Sequence, residues 1–170
     1  MEGKKYYFQP EKKVLKQGFF MKDLDGTIIY EAKVLKQSLL GPSKMEFINH
    51  SSGRTQEHQV GKVVTTEQSG LFEFFSTKSW FKFDGKKIWD YLHAEGIRID
   101  SSLSGKKIGM TYEVSLKGKP IATLATAAAN GGKAFITSGF HYDVTTMEEY
   151  LDWAFLTAFA IARTEQTFYD

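Results

Sequence analysis

The segment YLDWAFLTAFAIAR, residues 150–163, decides the fold. From Trp153 to Ala162 its only polar member is Thr157, so a helix here carries apolar side chains all the way round. A helix on the surface of a globular protein shows a polar stripe opposite its apolar one. A membrane span takes roughly 20 apolar residues, and a run about half that long is the length of a buried core helix. Glu148, Glu149 and Asp152 close the run on one side, Arg163 and Glu165 on the other. Thr145 with Glu148, or Thr146 with Glu149, fits a capping box, in which side chains satisfy the first unpaired amides; carboxylates also suit the positive end of the helix dipole. The helix is therefore predicted to start by Met147, with Trp153, Phe155, Leu156, Phe159 and Ile161 as its core residues.

Most of the remaining chain is punctuated as antiparallel β-structure. Residues 19–34 read as a strand, a turn at Asp25-Gly26 and a return strand. Residues 110–127 repeat the pattern: Met110, Tyr112, Val114 and Leu116 share one face, the turn falls near Lys117-Gly118, and the return begins near Ile121. Further strands are predicted at Lys44–His50, Val60–Thr66, Leu71–Ser76, Ser79–Asp84 and Ala134–Tyr142. Ile88, Tyr91 and Leu92 at helical spacing before Gly96 predict one short extra helix, near 86–95. The expected fold is mainly β: an antiparallel β-barrel of about 8–12 strands enclosing the apolar C-terminal helix, in a single domain spanning residues 1–170.

The order of "MKDLDGTIIYEAK", "KKIWDYLHAEGIRI", "YEVSLKGKPIATL" and "LDWAFLTAFAIART" along the chain resembles the LURP-one-related, tubby C-terminal-like family in its short bacterial type, whose fold is also that of phospholipid scramblases. The resemblance spans nearly the whole chain from Phe19 onward and rests on folding signatures. It implies a non-enzymatic binding or scaffold module that recognises an anionic phospholipid headgroup or a protein partner. Unlike the scramblases, this chain has no cysteine to palmitoylate and no further hydrophobic segment.

Composition narrows the function classes. With no cysteine, disulfides, thiolate metal sites and thiol catalysis are excluded. The first residues, MEGKKYYFQPEKK, contain no apolar stretch of signal-peptide type, so the expected location is cytoplasmic, with peripheral membrane contact. The net charge of +2 implies no nucleic-acid partner, and the acidic tail, with Arg163 against six acids over residues 134–170, pairs within the fold.

Individual motifs weigh toward structure. His50, His58, His93 and His141 show no metal-ligand spacing and read as scattered surface or turn histidines; no metal or other cofactor is expected. No G-x-S-x-G elbow singles out a serine. "DLDG" (residues 23–26) and "ANGGKA" (residues 129–134) read as turns. Glu31, Glu46, Glu73 and Glu113 fall at solvent-facing strand positions, which leaves a two-carboxylate hydrolase as a minor alternative. Phe72, Phe74, Phe81 and Phe83 read as core, with Phe75 and Trp80 left over for an exposed or helix-covered patch. The candidate anion- or lipid-binding residues are the paired turn lysines Lys86, Lys87, Lys106 and Lys107, because each basic residue near an anionic membrane gains about 1 kcal/mol. A small-molecule carrier with its ligand in the barrel is the other alternative; the C-terminal helix discriminates against it by filling the lumen.

Overall fold

The computed structural model describes residues 3–11, 18–37, 42–69, 72–103, 110–126 and 141–169, and within them the side chains of all but 62–69, 72–81, 102–103, 110, 126 and 164–169. The strands are β1 (Lys4–Pro10), β2 (Phe19–Asp23), β3 (Ile28–Lys36), β4 (Ser43–Asn49), β5 (Arg54–Ser69), β6 (Phe72–Phe83), β7 (Lys86–Lys87), β8 (Ile97–Leu103), β9 (Met110–Leu116), β10 (Lys119–Thr126) and β11 (Tyr142–Thr146). Helix α1 (Ile88–Ala94) separates β7 from β8, and helix α2 (Leu151–Tyr169) ends the described chain.

All eleven strands belong to one antiparallel sheet in the order β7-β6-β5-β4-β3-β2-β1-β11-β10-β9-β8. Side chains alternate along it: Tyr6 and Phe8, Phe19 and Met21, Tyr30 and Ala32, Met45 and Phe47, and Tyr142 and Val144 all point to one buried face. That face holds α2. Phe155 meets the rings of Phe8, Tyr30 and Phe47, and Phe159 meets those of Phe19 and Phe47, so β1 to β4 all touch the helix. The helix also packs on β6, β10 and β11. Helix α1 lies between the two ends of the sheet, against β6, β7, β8 and α2, with Ile88 and Leu92 buried. Among the described residues no strand pairing joins β7 to β8.

Burial along α2 answers the question its sequence raises. Six consecutive residues, Thr157 to Ala162, are buried, and at 3.6 residues per turn six in succession face every direction. No side of this helix meets solvent over that stretch. Trp153 and Leu156 are only half-buried, a correction to their assignment as core; Ala154, Ala158, Ala160 and Ala162 carry the closest packing instead. Small side chains let the sheet approach the helix backbone, while Phe155 and Phe159 fill the wider gaps.

Other expectations change in detail. A 3₁₀ turn (Glu148–Tyr150) precedes α2, and Met147, at its N-cap, makes no side-chain cap bond. The predicted capping box is therefore absent: Thr146 Oγ1 instead donates to the Ile121 carbonyl at 2.8 Å, tying β11 to β10. Arg163 is drawn into the interior, its guanidinium 5.5 Å from the Phe19 ring and 5.6 Å from that of Phe159. The two strands predicted over residues 71–84 are one continuous strand, β6, because the sequence between them has neither Gly nor Pro to turn it. Lys86 and Lys87 form strand β7: Asp84 (φ 49°) and Gly85 (φ 78°) both take positive φ, the tight reversal that lays the next residues back on the strand they left. The hairpin at Lys117-Gly118 has the same geometry. Strands β1 and β8 have no counterpart in the sequence reading, and the predicted strand Ala134–Tyr142 falls, apart from its last two residues, outside the described residues.

Candidate functional site

Three polar networks organise the surface of the sheet. At the start of α2, Tyr30 donates its phenol proton to Asp152 Oδ1 at 2.8 Å, Asn49 Nδ2 donates to the same oxygen at 3.2 Å, and Arg54 lies 3.7 Å from Oδ2. Burial, reinforced by the Asp152 carboxylate, pushes the Tyr30 phenol far above its ordinary range. Beside it Ser51 donates to Glu148. These bonds anchor the helix to β3 and to the turn after β4. They act where an unpaired carboxylate at the mouth of an apolar interior would be costly.

The second network corrects the reading of Glu31 as a solvent-facing carboxylate. Its side chain is 12% exposed and accepts from Lys33 at 3.2 Å and His50 Nε2 at 3.0 Å. The third corrects the reading of His58. Register pairs it with Met45, a core residue, and its ring lies 4.3 Å from that of Phe83, tilted by 31°. Its Nδ1 faces Asp84 Oδ2 at 2.5 Å, while Nε2 faces Gln56 Oε1 at 3.4 Å. An imidazole oriented by a carboxylate is one part of a hydrolytic triad, yet here the other ring nitrogen meets an amide oxygen where a nucleophile would stand. His141 Nδ1 bonds Tyr7 Oη at 2.8 Å. Of the four histidines, His50, exposed in the turn after β4, and His93, exposed in the last turn of α1, fit the surface-or-turn reading as made. Among the described residues no three His, Asp or Glu side chains gather as metal donors would.

The predicted basic residues divide. Lys106 and Lys107 lie outside the described residues. Lys86 and Lys87 are exposed at the sheet edge, and Lys87 stands directly opposite Lys82 on β6. Phe83, next to them, is buried as predicted; Phe72, Phe74, Phe75, Trp80 and Phe81 are outside the described side chains.

A second feature was missed by the sequence reading: a cleft of about 590 Å³ on the outer face of β2, β1, β11 and β10. Register lays its lining out in two rows. Lys5, Thr145 and Thr123 are neighbours across three strands; Lys22, Tyr7, Asp143 and Ala125 are neighbours across four. The small residues Thr123 and Ala125 keep the floor low, while Leu24, 79% exposed at the β2–β3 turn, raises a wall. A register shift falls at Met21/Lys22, and the Lys22 ammonium lies 5.2 Å from the centre of the Phe20 ring. Asp23 Oδ1 accepts the amides of Asp25 at 3.0 Å and Thr27 at 2.9 Å, which fixes the turn. The alternation Lys5-Tyr6-Tyr7-Phe8, with Tyr6 and Phe8 inward, is the signal from which β1 and its outward face were legible.

Comparison of the chain with protein-family models, with curated proteins and with solved structures finds no match. Among the described residues no helix is long and apolar enough to cross a membrane.

Proposed function

We propose that the sheet closes around α2 as a barrel of the tubby C-terminal type, and that the domain is a non-enzymatic binding module of the cytoplasm acting through its outer surface at an anionic membrane. The observation that carries this reading is the filled interior. Ala154, Phe155, Ala158, Phe159 and Ala162 have no solvent exposure, so a carrier's lumen is occupied by the chain itself and recognition falls to the outside. The filled interior speaks against the carrier alternative, and the pairing of the Glu31 carboxylate with Lys33 and His50 speaks against the hydrolase one.

The sheet edge supports an anionic ligand. Lys82 and Lys87 face each other across β6 and β7, and like charges placed directly opposite destabilise a strand pair. An anionic headgroup at this edge meets the Lys82 and Lys87 ammonium groups on one face of the sheet, while Lys86, the neighbouring residue of β7, offers its cation on the other. Co-sedimentation with vesicles tests the reading. The protein should pellet with vesicles rich in anionic phospholipid more than with phosphatidylcholine vesicles. The difference should fade with salt, as the screening length shrinks from about 8 Å at physiological ionic strength to about 3 Å at 1 M, and vanish in K86E/K87E with the melting temperature unchanged. Equal pelleting with both vesicle types, or none at low salt, would remove lipid and leave a protein partner as the ligand of this edge.

A further inference from the structure

The turn that carries the basic edge is tied to the neighbouring strand through one residue. Asp84 (φ 49°) and Gly85 form the reversal between β6 and β7, and Asp84 stands within three residues of Lys82, Lys86 and Lys87. Its amide donates to the Gln59 carbonyl at 2.8 Å, and its Oδ1 accepts the Gln59 amide at 2.9 Å. Oδ2 faces His58 Nδ1 at 2.5 Å. Asp84 is thus a negative charge set among three cations, and His58, whose side chain is 17% exposed, is the group beside it able to cancel that charge. Histidine is the side chain that ordinarily changes charge between about pH 5 and 8.

The surroundings of the His58 ring are mostly apolar. From β4, Met45 stands opposite it and Phe47 lies edge-on at 5.3 Å; from β6 come Phe83 and Asp84. Helix α1 reaches this region through Tyr91, 5.4 Å from the Phe83 ring, a phenol that burial holds in its neutral form; the acids beside it, Asp90 and Glu95, are exposed. Two cations stand one residue further off: Arg163 of α2 reaches Met45 Sδ at 3.9 Å, and Lys86 pairs with Phe83. Lys44, Glu46 and Glu57 fall on the other face of the sheet by alternation. Among the described residues Asp84 is the charged group that bonds to the ring, and Coulomb energy falls with distance, so the contact favours the charged imidazole. An imidazolium also finds an acceptor at each N–H, Asp84 at Nδ1 and the Gln56 amide oxygen at Nε2, 3.4 Å away.

We propose that His58 is the pH sensor of the basic edge: at neutral pH the Asp84 carboxylate offsets one of the lysines and holds membrane binding down, and on acidification the His58 imidazolium cancels Asp84 and strengthens attachment to anionic lipid. The inference rests on the reading of Lys82, Lys86 and Lys87 as the membrane-facing edge. No rearrangement of the chain is required, because the Gln59 bonds already fix the turn; the signal is one unit of charge. One basic charge near an anionic surface is worth about 1 kcal/mol, which converts to about fivefold in affinity.

The affinity of the full chain for phosphatidylglycerol vesicles, whose phosphodiester charge is the same at both values, is measured by co-sedimentation at pH 7.5 and pH 5.5 and one ionic strength. The parent should bind tighter at pH 5.5. H58Q keeps an N–H donor for Asp84 but cannot gain a charge, so its gain on acidification should fall about fivefold short of the parent's. H50Q, three strands from β7 in the sheet order, should gain as the parent does. D84N keeps an acceptor for the Gln59 amide and removes the negative charge, so at pH 7.5 it should bind about fivefold tighter than the parent, an outcome that does not depend on how well H58Q folds. The proposal is overturned if the parent binds equally at both pH values, if H58Q shows the parent's full gain, or if D84N binds no tighter at pH 7.5. In each of those outcomes, pelleting at pH 7.5 that K86E/K87E abolishes still supports the basic edge; no pelleting of the parent at either pH removes the edge and its sensor together.

Discussion

Replacing Phe155 with Ala removes the side chain at the centre of the aromatic cluster. Phe155 has no solvent exposure. Its ring lies 4.3 Å from that of Tyr30 in a stacked arrangement, 5.4 Å from Phe8 and 6.1 Å from Phe47, the latter two edge-on. A buried Phe→Ala change costs about 3–5 kcal/mol, composed of the lost transfer energy and the cavity left behind. The value should fall in the upper half of that range. The neighbours come from three strands and cannot collapse together into the void, and aromatic pairs add about 0.5–1.5 kcal/mol beyond area burial. For a chain of this size each kcal/mol lowers the melting temperature by about 2–4 °C, so a fall of roughly 8–20 °C is expected. Urea unfolding should show a lower midpoint with an unchanged slope, the sign that stability and not the extent of exposure has changed. Leu24→Ala, at a side chain 79% exposed, serves as the control and should stay within about 0.5 kcal/mol of the parent. A Phe155→Ala cost below about 1 kcal/mol would refute the packing of α2 against β1, β3 and β4.

Thr157 is fully buried and its Oγ1 makes no hydrogen bond among the described residues; an unmade bond costs about 1–3 kcal/mol, so Thr157→Val should raise stability by about 1 kcal/mol in chemical denaturation. Because the Tyr30 phenol is held above its ordinary value, the unfolded chain loses this proton first as pH rises. Stability should therefore be unaffected by this group below about pH 10 and decline above it, and Tyr30→Phe should flatten that alkaline limb while lowering stability at neutral pH through the lost bond to Asp152. A chain ending at Asp152 should fail to melt cooperatively, since the buried α2 side chains at about 1.5–3 kcal/mol for each large one rival a whole domain's stability of about 5–15 kcal/mol; circular dichroism and size exclusion would read this.

The architecture was legible where one local signal dictated one outcome. An apolar run too short for a membrane and lacking a polar stripe leaves only an interior helix, and α2 is buried on every side from Thr157 to Ala162. The Asp-Gly and Lys-Gly turns forced the β2–β3 and β9–β10 hairpins. What was not legible depended on partners distant in sequence. Glu31 alternates like any outward carboxylate, and only the fold brings His50 against it. His58 looks exposed among Gln and Glu, but its register with Met45 turns it inward onto Phe83. Thr146 offered a cap to the helix and bonds instead to a strand carbonyl 25 residues away in sequence. The cleft draws on β1, β2, β10 and β11, and no single stretch of sequence contains enough of it to announce a site.

Native-state hydrogen exchange of the intact protein tests the central claim, that the sheet is built around α2. If the helix is the core, the amides of Ala158 to Ala162 open only when the whole molecule unfolds, so their exchange free energies should equal the global stability from denaturation and match those of Met21 and Val144 in the strands around them. Exchange of these amides through a local opening well below the global value, with the strands still protected, would show that the sheet stands without the helix and would contradict the account.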